Sequence, residues 1–244
     1  MASGPRQVGT WQPLAPEVGL WQIDSWLPGG LPAHTLSLRL RDKSLLVIGP
    51  TAQLTSRHIT ELRKMGRVSY ILVPSTAWHH GLKEFGSKCP GAKYVAAKTA
   101  HEALVKTTGL KFETPWESLR GQLPDLVQVL VPDGLKNGET WVRVQTRRGM
   151  AWIVADTLIN YQEIPQGISG WRYWIRGLGP GLRIPMWHKM TGIENKGQLR
   201  SWIFERIRED RPAVLIPLRG IPLASPDLPR RLRAFVDDFL GNES

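Results

Sequence analysis

From Thr35 to Arg41 the leucines at 36, 38 and 40 alternate with Ser37, Arg39 and Arg41, the two-residue period of a half-buried strand. Asp42-Lys43 turns the chain, Ser44–Ile48 predicts the hairpin partner, and Gly49-Pro50 ends it. The period then changes. Ile59 and Leu62 share a helical face over Thr55–Met65, with Thr55 as the N-cap and Gly66 just past the end. Val68–Val73 is apolar and β-branched, so the predicted opening order is strand, strand, helix, strand.

The same alternation predicts a strand at Lys93–Ala97, a helix at Thr99–Thr107 and a strand at Val127–Val131. Thr140–Thr146 and Met150–Ala155 flank Arg148-Gly149 as a second hairpin. Gly197–Asp210 places Leu199, Trp202, Ile203 and Ile207 on one helical face, and Asp227–Leu240 does the same with Leu228, Leu232, Phe235, Val236, Phe239 and Leu240. Ala213–Pro217 is a short strand between them. Hairpins mixed with strand-helix alternation, without a βαβ repeat, favour layered sheets with helices outside. Pro165–Lys189 is rich in Gly and Pro and predicts a long surface loop or lid. Its Gly177-Leu178-Gly179-Pro180-Gly181 lacks the Lys-Ser/Thr ending of a phosphate loop, so it predicts flexible loop only.

The chain has 244 residues, 41% of them hydrophobic, enough to core one domain spanning 1–244. It contains no apolar run of about 18 residues that could cross a bilayer, and Met1–Thr10 has no apolar stretch like a secretory signal's. A single cysteine, Cys89, allows no internal disulfide, so the expected location is cytoplasmic. Thirty-two Lys and Arg against twenty-one Asp and Glu give a net charge of +11, a field that attracts phosphates, acidic proteins or anionic substrates.

Three segments together carry a likeness: Ser75-Thr76-Ala77-Trp78-His79-His80-Gly81 after one strand, Val154-Ala155-Asp156-Thr157-Leu158 after a later one, and Ile216-Pro217-Leu218-Arg219-Gly220 near the end. Their order and spacing resemble the metallo-β-lactamase superfamily, in which a His-x-His-x-Asp-His segment, a Gly-Asp strand end and a Gly-His-Gly turn supply the metal ligands. The sequence is most similar to degenerate members in which a His-His pair and a Pro-Gly-Ala step, here Pro90-Gly91-Ala92, replace the metal motif. The resemblance implies an α/β (α+β) domain, a four-layered αββα sandwich, with the strand ends near Ser75, Asp156 and Arg219 meeting in one cleft.

In that frame Ser75 and Ala77 stand at the first two histidines, His79 at the aspartate and His80 at the last histidine. The next family histidine falls near Asp133–Gly138, where there is none. Asp156 matches the bridging aspartate, and Arg219 occupies the final histidine's position. A catalytic zinc takes three protein ligands and a water, so the first-metal set is lost. His79, His80 and Asp156 would still suit one Zn or Fe ion, but a guanidinium never deprotonates and repels a divalent cation. The expectation is therefore an ion pair between Asp156 and Arg219 in an emptied pocket, no cofactor, and Asp156, Arg219 and Ser75 as ligand-binding residues for an anionic small molecule or an acidic partner. The alternative is one metal at His79, His80 and Asp156 in a mononuclear hydrolase of an anionic ester; no catalytic residue is assigned.

His34, His58, His101 and His188 lack the i, i+4 spacing of a helical metal site and are expected at the surface or in hydrogen bonds. Cys89 has no neighbouring base and acid that would make it a nucleophile. Between Glu163 and Glu194 no acidic residue interrupts Trp171-Arg172-Tyr173-Trp174-Ile175-Arg176, Arg183, Trp187 and Lys189. Rings and cations in alternation can stack on bases and neutralise phosphates; the preferred reading is that they cover a core while the cations reach water. This lid, at about 165–190, is the candidate for a nucleic-acid or protein interaction.

Overall fold

The structure, a computed structural model, describes residues 8–27, 31–163 and 177–241. The chain divides into two compact units, Met1–Pro124 and Asp125–Ser244. Among the described residues no helix is long and apolar enough to cross a membrane.

In the first unit seven strands form one sheet in chain order: β1 Gln12–Ala15, β2 Leu20–Leu27, β3 Leu31–Arg39, β4 Leu45–Ile48, β5 Val68–Leu72, β6 Lys93–Val95 and β7 Phe112–Glu113. Pairing is antiparallel from β1 to β4 and parallel from β4 to β7. The parallel steps need crossovers, made by helices α1 Ser56–Met65, α2 Leu82–Ser87 and α3 His101–Thr108; α4 Pro115–Leu119 follows β7. Thr55 caps α1, and His58 supplies the reciprocal bond of a capping box: its Nδ1 accepts the Thr55 backbone N–H at 3.1 Å.

The predicted opening order is corrected here, because β1 and β2 precede the first expected strand. In β2 the buried positions Leu20, Ile23 and Ser25 are not a clean two-residue series, and Trp21 is partly exposed with the Arg39 guanidinium over its ring at 5.2 Å. β3 is not half-buried either. Ser37 is as inaccessible as Leu36 and Leu38, so its alternation reflects small and large residues on two covered faces.

In the second unit the sheet order is β14-β13-β10-β9-β8, from β8 Val127–Leu130, β9 Trp141–Thr146, β10 Gly149–Val154, β13 Val214–Pro217 and β14 Leu223–Ala224. β10 and β13 run parallel; the other pairs are antiparallel. β11 Ile159–Tyr161 pairs with β12 Gly181–Arg183 as a separate ribbon. Helices α5 Met186–Thr191, α6 Lys196–Asp210 and α7 Leu228–Leu240 complete the unit. Leu199, Ile203, Leu232 and Val236 bury the predicted faces of α6 and α7 against Leu215 and the indoles of Trp141 and Trp152, whose centroids lie 5.4 Å apart. The buried Asp210 carboxylate at the end of α6 is held by Trp152 Nε1 at 2.8 Å and Arg143 Nη1 at 2.8 Å.

The expected loop at Pro165–Lys189 needs revision where it is described. Gly181–Arg183 is a strand and Met186–Thr191 begins a helix, because Arg183, Leu182 and Gly181 take the ladder offered by Ile159–Tyr161. Trp171–Arg176 lies outside the described residues.

Beyond β13 the backbone is clamped to β11. Asn160 N–H donates to the Arg219 carbonyl (3.2 Å), Ile221 N–H to the Asn160 carbonyl (2.7 Å), and Asn160 Nδ2 to the Ile221 carbonyl (2.9 Å). Gly220 between them has φ +114, and a Cβ there would collide with the Asn160 carbonyl. Gly181, at φ +85, has open space around its Cβ position. Gly220→Ala should therefore lower the urea-derived unfolding free energy by more than about 3 kcal/mol, and Gly181→Ala by only ~1 kcal/mol, the backbone cost alone. Equal losses would mean that the clamp yields freely.

Candidate functional site

Strand register creates the site. Val154 pairs with Pro217 at the ends of parallel β10 and β13, and Leu218 N–H donates to the Val154 carbonyl at 2.8 Å. Asp156 and Arg219, each two residues past its strand, consequently come side by side. Arg219 Nε donates to Asp156 Oδ1 at 2.6 Å; the carboxylate is fully buried and the Arg219 side chain is 16% exposed. The ion pair expected from the sequence is present. Trp187, just inside α5, has its ring centroid 5.8 Å from the Arg219 guanidinium carbon.

Beside this pair lies a buried polar network. The Glu139 carboxylate accepts four donors: Trp141 Nε1 (2.8 Å), Ala155 N–H (3.2 Å), Thr157 N–H (2.9 Å) and Thr157 Oγ1 (2.8 Å). Having given its proton to Glu139, the Thr157 hydroxyl accepts from His188 Nε2 at 3.0 Å. His188 is fully buried, and its Nδ1 has no hydrogen-bond partner among the described residues. Gly192 backs that ring, where any Cβ would strike the imidazole. Burial pushes the Glu139 pKa up, with Asp156 adding to it, against the downward pull of Thr157 and Trp141; it stands at about 7. Burial pulls His188 down to about 4, with the Arg219 charge acting in the same direction and Asp156 opposing. The 3.8 Å approach of His188 Nε2 to Glu139 Oε2 is thus no ion pair at neutral pH.

The other predicted residues belong to the first unit. Ser75 is buried, and its Oγ accepts the Ala77 N–H at 3.2 Å, capping the short 3-10 turn Thr76–Trp78. His79 Nδ1 is 2.9 Å from the Thr76 carbonyl, which makes it the protonated nitrogen. His80 is exposed, its ring 3.9 Å from that of His79. Among the described residues, no group of three or more His, Cys, Asp or Glu side chains is placed to hold a metal ion. The buried donors Asp156, Glu139 and His188 of the second unit do not fit one either: Asp156 carries a guanidinium, Glu139 carries four donors, and His188 Nε2 faces Thr157.

Of the scattered histidines, His34 is buried beside Asp24, with Nδ1–Oδ1 2.9 Å, and His188 is a core residue rather than a surface one. Glu139 and His188 were missing from the expected site. Glu139 lies one residue past the stretch where the resemblance placed a histidine, and a lone acid before the apolar run of β9 was its signal. His188 gave none, since only the fold of α5 brings it to Thr157.

No protein-family model matches this chain, and no curated protein sequence does. Solved structures do. A metallo-β-lactamase from Hirschia baltica superposes with a TM-score of 0.60 at 10% identity, covering 95% of this chain and 98% of that one. DIM-1 metallo-β-lactamase gives 0.61 at 14%, covering 97% and 100%. A flavo di-iron protein from Thermotoga maritima gives 0.60 at 13%, covering 94% of this chain, which spans 61% of that protein's length. The fold is thus α/β of the metallo-β-lactamase type, with two mixed sheets and flanking helices.

The two buried groups titrate in opposite senses. Glu139 keeps its proton up to about 7 when folded and loses it near 4.5 when unfolded, so its contribution to stability falls as pH rises through that interval. His188 takes a proton at about 4 when folded and at 6.5 when unfolded, so its contribution rises between those values. From pH 4.5 to 6.5 they offset each other. Relative to the parent, Glu139→Gln should gain stability with rising pH there by about 1 kcal/mol per unit, and His188→Gln should lose about as much. Urea titrations at pH 4.5, 5.5 and 6.5 read this directly; parallel profiles for all three proteins would refute it.

Proposed function

We propose that this chain has left metal hydrolysis and uses the Asp156–Arg219 site to bind an anionic ligand, a carboxylate- or phosphate-bearing small molecule or an acidic partner group. The observation that carries this is the 2.6 Å bond from Arg219 Nε to the buried Asp156 carboxylate. The chemistry that holds a metal at such a carboxylate is cationic charge, and here a permanent guanidinium delivers it. Its fork of five donors also matches carboxylate and phosphate groups, and the partial exposure of Arg219 supports access for such a group. Trp187 stacks near the same guanidinium and would orient it. The +11 net charge of the chain favours encounter with anions.

The test uses full-length protein purified without chelators. The parent should hold zinc and iron far below one equivalent, and Arg219→His, which puts a neutral imidazole beside Asp156, should bind zinc at least tenfold more tightly. Inorganic phosphate and citrate, titrated calorimetrically, should bind the parent and lose at least tenfold in affinity in Arg219→His. Stoichiometric metal in the parent would overturn the proposal in favour of a mononuclear hydrolase. Anion binding that ignores the substitution would remove Arg219 from the ligand site.

A further inference from the structure

At the opposite end of the second unit's sheet, arginines gather from three segments. β10 and β13 start there side by side: Ala213 N–H donates to the Met150 carbonyl at 2.8 Å. This sets the β9–β10 turn, with Arg147 and Arg148, next to Arg211, which ends α6. Ser225 N–H donates to the Ala213 carbonyl at 3.0 Å, and Leu228 N–H to the Ser225 carbonyl at 3.1 Å. These bonds bring the first turn of α7, with Arg230 and Arg231, to the same place. Arg208 in the last turn of α6 completes the group. All six arginines are exposed.

The acids of these segments are already engaged: Asp210 by Arg143 and Trp152, Glu209 by Arg206, Glu205 by Arg206 and Arg208, Asp227 by Arg230. Arg148 and Arg211 have no ion-pair partner among the described residues, and Arg231 reaches Asp227 only through its longer-range charge. One of these positions goes against local preference. Arg211 has φ +45 in the left-handed region, where glycine is the unstrained choice. At the start of α7, Asp227 stands at the N-cap, where the helix dipole favours negative charge, and pairs with Arg230. A strained arginine at an exposed position marks function rather than stability.

We propose that this end of the second unit binds the phosphate backbone of nucleic acid without sequence preference. Phosphate is favoured over a lipid surface because every cation is Arg, whose fork fits phosphate oxygens. Of the large exposed apolar side chains among the described residues, Leu126 just before β8 is the one placed toward this end of the sheet, and membrane-surface binding needs a whole apolar face. The segments that carry the six, Arg147-Arg148, Arg208–Arg211 and Arg230-Arg231, contain no aromatic residue, so they track charge rather than stack bases. The site is distinct from the Asp156–Arg219 pair, which sits past the far ends of the same two strands, roughly 20 Å away at the rise of a strand.

The experiment compares the parent, Arg148→Gln/Arg211→Gly/Arg231→Gln, and a control with equal charge loss in the first unit, Lys64→Gln/Lys83→Gln/Lys106→Gln. Each is titrated with a 20-base-pair DNA duplex across a salt series, and with phosphatidylserine vesicles and polyglutamate at one salt. Glycine at 211 relieves the left-handed strain, so thermal melting should show the arginine variant folded and no less stable than the parent. Its log–log salt slope should be shallower by about 2.7, from three lost phosphate contacts at about 0.9 each, while the control keeps at least two-thirds of the parent slope. Equal slope changes in both variants would reduce the effect to net charge and overturn the proposal. So would tighter binding to vesicles or polyglutamate than to DNA, or no DNA binding at 150 mM salt.

Discussion

A carboxylate sealed away from water must have a cation or a full set of donors, since leaving it unpaired costs several kcal/mol. Asp156 meets that condition through Arg219, and the surrounding structure serves the match. Parallel pairing of β10 and β13 fixes where the two residues leave the sheet, and the Asn160 clamp with its glycine fixes the backbone of Arg219. Glu139, one strand away, is a second buried carboxylate, satisfied in the other manner by four donors. The neighbouring Asp156 charge raises its pKa, so the two acids are coupled through the same low-dielectric interior.

Much of this was legible in the sequence. Strong patterning found α1, α6, α7 and the β9–β10 hairpin to within a residue or two, because the helices bury one regular face and the hairpin is an apolar pair of strands around the Arg148-Gly149 turn. The three spaced segments pointed to the fold, and reading Arg219 at the position of a histidine in the family they resemble pointed to the ion pair. What failed had physical causes. β2 breaks alternation at Trp21, whose ring is held by Arg39. β11 and β12 are three residues each, too short for any period to register. His188 and Glu139 meet only after α5 has folded back towards the end of β10, a tertiary event without a local pattern.

The two ends of the second unit's sheet divide their chemistry. At the strand ends charges are buried, matched and desolvated, which gives a rigid site with few degrees of freedom. At the strand starts arginines are exposed and outnumber the acids, so attraction there is long in range and salt-dependent. A fold whose relatives are named for metal chemistry thus carries, in this chain, two arrangements built on arginine.

The claim on which the account rests is that Arg219 is the counter-ion of Asp156. A double-mutant cycle measures it: unfolding free energies in urea for the parent, Asp156→Asn, Arg219→Gln and the double variant, all with chelator present. Arg219→Gln should cost about 3–5 kcal/mol because it strands a buried carboxylate, and the double variant should recover at least ~2 kcal/mol of the summed losses. Additive effects, or a parent destabilised by the chelator itself, would show that something other than Arg219 neutralises Asp156.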